Sequence, residues 1–217
     1  MGDPQTRSGG IHHTAEILDF VNDLHAPHDP VLLEAFNAPG LHEMPAIQVG
    51  PADGKLMHLL LRIAGAARVV EIGTLAGYST IWLARALPAD GHLWSLEASS
   101  KHRAVAVENL RRAGLENRVT VLEGRAMSLL PKLEAEGPFD AVFIDADKAG
   151  YPDYGRWASK NLKKGGLLLA DNAFFFGGLL AQTSEAEAMR AFHREAAAHF
   201  DTVCITNPDG LLLGVKR

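Results

Sequence analysis

Val70-Glu71-Ile72-Gly73-Thr74-Leu75-Ala76-Gly77-Tyr78-Ser79-Thr80 decides the fold of this chain. An apolar run leads into two glycines spaced G-x-x-x-G, and a helical pattern follows from Tyr78 to Leu87, halted by Pro88. Strand, glycine bend and helix, in that order, form the opening unit of an open parallel sheet. Gly73 and Gly77 let the backbone turn tightly and approach a ligand with no side chain in between. The spacing differs from the G-x-G-x-x-G of a dinucleotide site. Glu71 sharpens the difference, because a carboxylate beside a phosphate-binding loop would repel the phosphates. It suits a cationic ligand. The alternative reading is a carboxylate that holds the loop by accepting backbone hydrogen bonds.

Outward from this stretch, apolar runs alternate with helical periodicity, as in a parallel sheet covered on both faces. The expected strands are Arg68–Gly73, His92–Glu97, Val119–Glu123, Phe139–Asp145 and Gly166–Asp171. Helices are expected from Ser99 or Ser100 to Gly114, over Ala126–Glu136, over Tyr151–Leu162 and from about Glu185 to His199. Two last apolar runs, Thr202–Thr206 and Leu211–Val215, flank Asn207-Pro208-Asp209-Gly210, a strong turn signal. Strands joined so tightly are antiparallel. Upstream, Thr14–Leu24 and Gly54–Ile63 read as helices, with Met44, Pro45, Val49 and Pro51 in the loop between them. The fold expected is α/β: a doubly wound, Rossmann-like sheet of seven strands, five parallel plus a C-terminal antiparallel hairpin, with extra N-terminal helices. Residues 1–66 form a helical extension packed on the same domain, and 67–217 form its core.

Composition narrows the function. With 217 residues, 47% hydrophobic and 22% charged, the chain reads as one soluble domain. A net charge of -5 without a basic stripe argues against nucleic acid as a partner. Lys163-Lys164 and Arg111-Arg112 read as doublets at helix ends. No apolar run approaches the ~20 residues that span a bilayer, no signal peptide is visible, and a cytoplasmic location is expected. Met1-Gly2-Asp3-Pro4-Gln5-Thr6 matches a loose myristoylation pattern that arises often by chance, and the first ten residues, polar and glycine-rich, read as disordered. The single cysteine, Cys204, rules out an internal disulfide and reads as a buried thiol. Ten histidines, among them His12, His13, His25, His28, His42 and His58, lack metal-ligand spacing and read as surface or interface residues.

The strand ends carry the chemistry. Glu97 ends the second strand, where a carboxylate accepts both hydroxyls of a ribose; a solvated strand-end acid is the plainer reading. Gly124-Arg125-Ala126 after the third strand leaves room for a flat base. Asp145 ends the fourth strand, and Asp171, followed by Asn172, ends the fifth. Two carboxylates and an amide make a hard oxygen site for Mg2+, Ca2+ or Mn2+, unless the two acids merely cap the helices or loops next in the chain. Lys148 comes three residues after Asp145, so its amine can lean toward the same point. A nearby cation and loss of water favour a neutral amine able to take a proton; a surface ion pair with Asp147 is the alternative.

Taken together, Val49-Gly50-Pro51-Ala52-Asp53-Gly54-Lys55-Leu56-Met57, Val70–Thr80, Ile144-Asp145-Ala146-Asp147-Lys148 and Ala170-Asp171-Asn172 resemble the cation-dependent class I O-methyltransferases. That family includes catechol and caffeoyl-CoA O-methyltransferases and many bacterial relatives. The resemblance spans about Met44 to Gly177 and implies S-adenosylmethionine as cofactor. It implies cofactor contacts at Val49, Glu71, Gly73, Tyr78, Ser79, Glu97, Ala126 and Asp145. It further implies metal ligands Asp145, Asp171 and Asn172, Mg2+ foremost with Ca2+ or Mn2+ as alternatives, and Lys148 with Asp145 as catalytic residues. The metal lowers the pKa of a substrate hydroxyl, Lys148 removes the proton, and the oxygen takes the methyl group in line.

The substrate end is less plainly written. A small hydroxylated aromatic, catechol-like or hydroxycinnamoyl-like, is expected, with Phe174-Phe175-Phe176, Tyr151, Tyr154, Trp157 and Met44 as candidates to meet it. The glutamate that mammalian catechol O-methyltransferases carry before the final strand has no counterpart between Val203 and Asn207. The family also implies a homodimer with the N-terminal helices near the interface. Competing readings are an NAD(P)-dependent oxidoreductase, a metal-dependent hydrolase and a binding protein without activity.

Overall fold

A computed structural model describes residues 12–217. The lipidation-like start and the whole of the polar ten-residue N-terminal stretch lie outside the described residues. Strands β1 (Arg68–Ile72), β2 (His92–Glu97), β3 (Val119–Glu123), β4 (Phe139–Ile144), β5 (Leu162–Ala170), β6 (Phe200–Ile205) and β7 (Leu211–Lys216) form one sheet. Its order is β3-β2-β1-β4-β5-β7-β6. The first five strands are parallel, β7 is antiparallel to both β5 and β6, and the terminal hairpin is therefore turned inward. The chain leaves β1 toward β2 and returns to β4 on its other side, which makes β1 and β4 the switch point where open sheets bind ligands.

Strand residues alternate between two faces. Val69, Leu93, Phe143 and Leu169 meet Met57 and Leu61 of α3 (Pro51–Ile63), Ile81 and Leu83 of α4 (Tyr78–Ala86), and Leu110 of α5 (Ser100–Arg112). Val70, Ile72, Val142 and Ile144 meet Leu130 and Leu133 of α6 (Ala126–Leu133), Trp157 of α7 (Tyr151–Asn161), and Met189 and Phe192 of α8 (Ser184–His199). Each face thus buries the apolar stripes of its helices, which is what keeps the strands flush and their ends in register.

Upstream, α1 (Ala15–His25) starts at Thr14, whose hydroxyl accepts from the Ile17 amide, and buries none of its residues. Between it and α3, where the sequence reads as a loop, stands a further helix, α2 (Pro30–Leu41). Asp29 caps it by accepting from Leu32 N at 2.8 Å, Pro30 takes the first turn, and Leu32, Ala35 and Ala38 are buried. Apolar residues nearly all round, with Pro39 inside, blur the helical period that would have announced it. Pro51 likewise opens α3 rather than preceding it.

Other boundaries move for local reasons. β5 begins at Leu162, with an irregularity between Phe139 and Ala141 on its partner strand, so Lys163-Lys164 lie in a strand and Lys163 pairs with Asp140 at 2.5 Å. The helix after β3 stops at Leu133 and tightens into a single 3-10 turn. Cys204 is only half-buried, because β6 is the edge of the sheet and packs on one side. His28 and His58 are half-buried instead of exposed, bonded to the Tyr78 hydroxyl at 2.6 Å and the Trp82 carbonyl at 3.1 Å.

Candidate active site

The carboxyl ends of β1, β2, β4 and β5 are laced together by backbone hydrogen bonds. Gly73 N donates to Leu96 O at 3.0 Å, Asp145 N to Ile72 O at 2.8 Å, and Asp171 N to Ile144 O at 3.0 Å. Gly73 is required here twice over. Its φ is +101°, and a Cβ on it would stand 1.8 Å from the Asp145 carbonyl oxygen. Glu97 then holds the glycine loop from the neighbouring strand: its carboxylate accepts from Leu75 N at 2.9 Å, Thr74 N at 3.3 Å and Ser99 N at 2.9 Å. His102 Nδ1 lies 3.4 Å from the same group.

Glu71 is fully buried beneath that loop. It accepts from three hydroxyls, Ser79, Thr80 and Ser95, each at 2.6 Å, and Ser95 in turn meets Thr74 at 2.6 Å. Burial pushes its carboxyl up to about 7 against the downward pull of the hydroxyls. The partners are side-chain hydroxyls rather than the backbone groups of the alternative reading, and they seal Glu71 behind the wall.

The wall encloses a cleft of about 940 Å3, large enough for a nucleoside-sized cofactor and a small aromatic together. Val49, Gly73, Tyr78, Ser79, Glu97, Ala126, Asp145, Lys148 and Asn172 all line it; Glu71 and Asp171 do not. Thr74, Leu75, His102 and Asp153 also line it and carry no signal in the sequence beyond their nearness to the glycine loop, β2 and β4. Tyr78 is nearly buried, its hydroxyl on His28 and its ring edge-on to Phe36; burial pushes it up to about 12.

At the far end, the pairing of Ile144 with Ala170 makes Asp145 and Asp171 emerge side by side. Burial, and then the charge of Asp145, push the Asp171 carboxyl up to about 7. Burial first also raises Asp145, against the charge of Lys148, whose Nζ lies 3.4 Å away. Lys148 turns inward rather than to Asp147: its amine donates to the Tyr151 hydroxyl at 2.7 Å and sits 4.6 Å from that ring. The Tyr151 hydroxyl donates its own proton to the Asp171 carbonyl at 3.0 Å. Asp147 instead caps Gly150 and accepts from Tyr154 at 2.7 Å. Among the described residues no three His, Cys, Asp or Glu side chains gather to hold a metal. A pair of desolvated, mutually repelling carboxylates beside an amide still fits a hard divalent cation, whose charge would relieve both.

The aromatic candidates divide. Tyr151 and Trp157 belong to the core, Phe175 packs against it, and Met44 sits with Ala38 and Ala76. Phe174 lies over Gly210. Tyr154 reaches the cleft, and Phe176, 71% exposed, stands at its rim.

Sheet order, glycine loop, strand-end glutamate and acidic far end define a Rossmann-like methyltransferase. The chain belongs to the O-methyltransferase family, whose sequence profile matches residues 24–217, and it is an S-adenosylmethionine-dependent O-methyltransferase. It is 45% identical over 177 residues to a catechol O-methyltransferase of Niastella koreensis, covering 81% of this chain and 80% of the relative. To a catechol O-methyltransferase of Mycobacterium tuberculosis it is 45% identical over 163 residues, covering 75% and 74%. The O-methyltransferase of Bacillus cereus, solved with S-adenosylhomocysteine, superposes with a TM-score of 0.88 at 36% identity, covering 92% and 96%. An O-methyltransferase of Streptomyces achromogenes involved in tomaymycin synthesis, solved with S-adenosylmethionine, gives 0.87 at 33%, covering 93% and 96%. The oxidoreductase, hydrolase and inactive-binder readings fall away.

Proposed function

We propose that this enzyme methylates a hydroxyl of a small aromatic substrate, catechol-like before hydroxycinnamoyl-like, with a divalent cation held by Asp145, Asp171 and Asn172. The observation that carries the reading is the desolvated acidic pair next to an inward-turned lysine. Two relatives at 45% identity bear the name catechol O-methyltransferase, which supports the substrate class. Bound there, a cation such as Mg2+, with Ca2+ or Mn2+ as alternatives, supplies Lewis acidity toward a substrate hydroxyl.

The chain's own residues do the rest. Val49, Gly73, Tyr78, Ser79, Glu97 and Ala126 hold the cofactor along the strand ends, with Asp145 at its methyl-bearing end; Glu71 acts one layer back, through Ser79. Lys148 accepts the hydroxyl proton at Nζ. The Tyr151 hydroxyl fixes that amine in place, because its own proton is committed to the Asp171 carbonyl. Phe176 offers an apolar face at the rim, and positioning of the two reactants is the main gain.

The helical extension through residue 66 belongs to the same working unit, since it brings Val49 to the cleft. An exposed apolar stripe on α1, Ile17, Phe20 and Leu24, joined by Ile63, supports a homodimer through these helices. No helix among the described residues is long and apolar enough to cross a membrane, and we assign the enzyme to the cytoplasm.

The test is methyl transfer from S-adenosylmethionine to a panel of catechols, with and without EDTA, for the wild type and Asp145→Ala. Activity is expected to collapse with the chelator and with the substitution. Activity undiminished by both would defeat the metal assignment.

A further inference from the structure

The loop after Asn172 adopts a conformation that its residues do not favour. Asn172, Phe175 and Phe176 have φ of 54°, 51° and 52°, a left-handed region that phenylalanine avoids. Such backbone persists only where surrounding structure over-determines it. The surrounding structure here is the β6–β7 turn. Ala173 N donates to Gly210 O at 2.9 Å and Phe174 N to Asp209 O at 2.9 Å. Phe176 N donates to the Asp209 carboxylate at 2.7 Å.

Asp209 has an unusual setting. Its other oxygen, Oδ2, is buried and meets no donor among the described residues. A carboxylate kept in such a place costs stability, so a specific task explains it better than packing. The turn itself is anchored: Asn207 Nδ2 donates to Asp53 at 2.7 Å in the first turn of α3, directly after the segment that brings Val49 to the cleft.

We infer that Asp209 is a positioning residue for methyl transfer. With Asn207 and Asp53 it forms a clamp that ties three segments (residues 172–176, the β6–β7 turn and the start of α3) and fixes the substrate end of the cleft. Asp209 touches none of the reacting atoms. It acts through the Phe176 amide, setting where the Phe176 ring and the Asn172 side chain stand. Among the described residues it shares no hydrogen bond with the cofactor end, built by β1, β2 and the loop after β3. The inference rests on the proposed site of the aromatic substrate.

Three measurements on the full chain test it: Michaelis parameters with a catechol, S-adenosylhomocysteine affinity by calorimetry, and hydrogen exchange of the peptide covering residues 171–178. Asp209→Ala is expected to raise KM for the catechol about tenfold, the loss of roughly one hydrogen bond's worth of positioning. Exchange at 171–178 accelerates, and S-adenosylhomocysteine affinity stays within about twofold of wild type. Asp209→Asn keeps an acceptor for the Phe176 amide and restores both KM and protection. Unchanged KM and exchange in Asp209→Ala, or no rescue by asparagine, overturns the clamp. So does a fall in S-adenosylhomocysteine affinity in step with KM, which marks a general loss of structure. A wild type inactive on every phenol defeats the proposed substrate instead, while exchange and cofactor affinity still decide the clamp.

Discussion

Replacing Glu71 by glutamine isolates the energetics of the carboxylate beneath the glycine loop. Burial lifts the folded-state pKa from 4.5 to about 7. The folded protein therefore holds a proton between those values that the unfolded chain releases, and stability falls as pH rises. The contribution is fully present below pH 4.5 and lost by about pH 7. At about 1.4 kcal/mol per pH unit, the interval amounts to about 3 kcal/mol. Glutamine has nearly the same shape, stays neutral throughout, and leaves Ser79, Thr80 and Ser95 free to turn their hydroxyls toward it. The assay is thermal unfolding of the cofactor-free protein from pH 4.5 to pH 8.5, wild type against Glu71→Gln. The difference in Tm should move in favour of the variant by about 6 to 12 °C between pH 4.5 and pH 7.5, at about 2 to 4 °C per kcal/mol for a chain of this size. Above about pH 7.5 it should level off. Asp171 also carries a raised pKa, but it titrates in both proteins and cancels in the difference. Because Glu71 lies behind the cleft wall, S-adenosylhomocysteine affinity in the variant is expected to stay within about threefold, an indirect effect through Ser79 being the only route. Parallel Tm curves would refute the buried-acid argument, and a tenfold or larger loss of affinity would return Glu71 to direct contact with the cofactor.

Two further substitutions probe the frame. Gly73→Ala forces a Cβ into the Asp145 carbonyl oxygen at 1.8 Å, so β1 and β4 must part at the site; calorimetry should find S-adenosylhomocysteine binding weakened by about a hundredfold or more, as ångström-scale misplacement implies. Asp140→Ala orphans the Ala67 and Arg68 amides, each now bonded at 2.7 Å, and releases Lys163; denaturant unfolding at pH 7 should show a loss of about 2 to 4 kcal/mol. Burial pushes the Asp140 carboxyl up, yet Lys163 and the two amides outweigh it and hold the carboxyl below 3.8. Its contribution is therefore present above that pH and fades in stronger acid.

Local rules determined much of this protein from its sequence. Apolar runs of β-branched and long aliphatic residues, punctuated by glycine and by helical periods, marked all seven strands within a few residues. The G-x-x-x-G bend with Glu71 and Glu97, and the acids at the ends of β4 and β5, were legible because special backbone geometry and costly polar groups stand out against apolar neighbours. Tertiary structure alone decided the rest. Nothing in Leu211–Lys216 says that β7 enters between β5 and β6, since strand order depends on partners distant in sequence. The helix Pro30–Leu41 stayed hidden because apolar residues stand on its exposed face too, Leu33 and Leu41 among them, which erases the amphipathic period. Whether Glu71 faces the cleft or lies sealed under it turned on Ser95 and Thr80, brought from a neighbouring strand and the next helix. The inward turn of Lys148 rests on Tyr151, and the left-handed path of Phe175 and Phe176 on Asp209, more than thirty positions away. Periodicity and composition report what each segment prefers by itself; the direction a side chain finally takes is set by partners that only folding brings within hydrogen-bond distance.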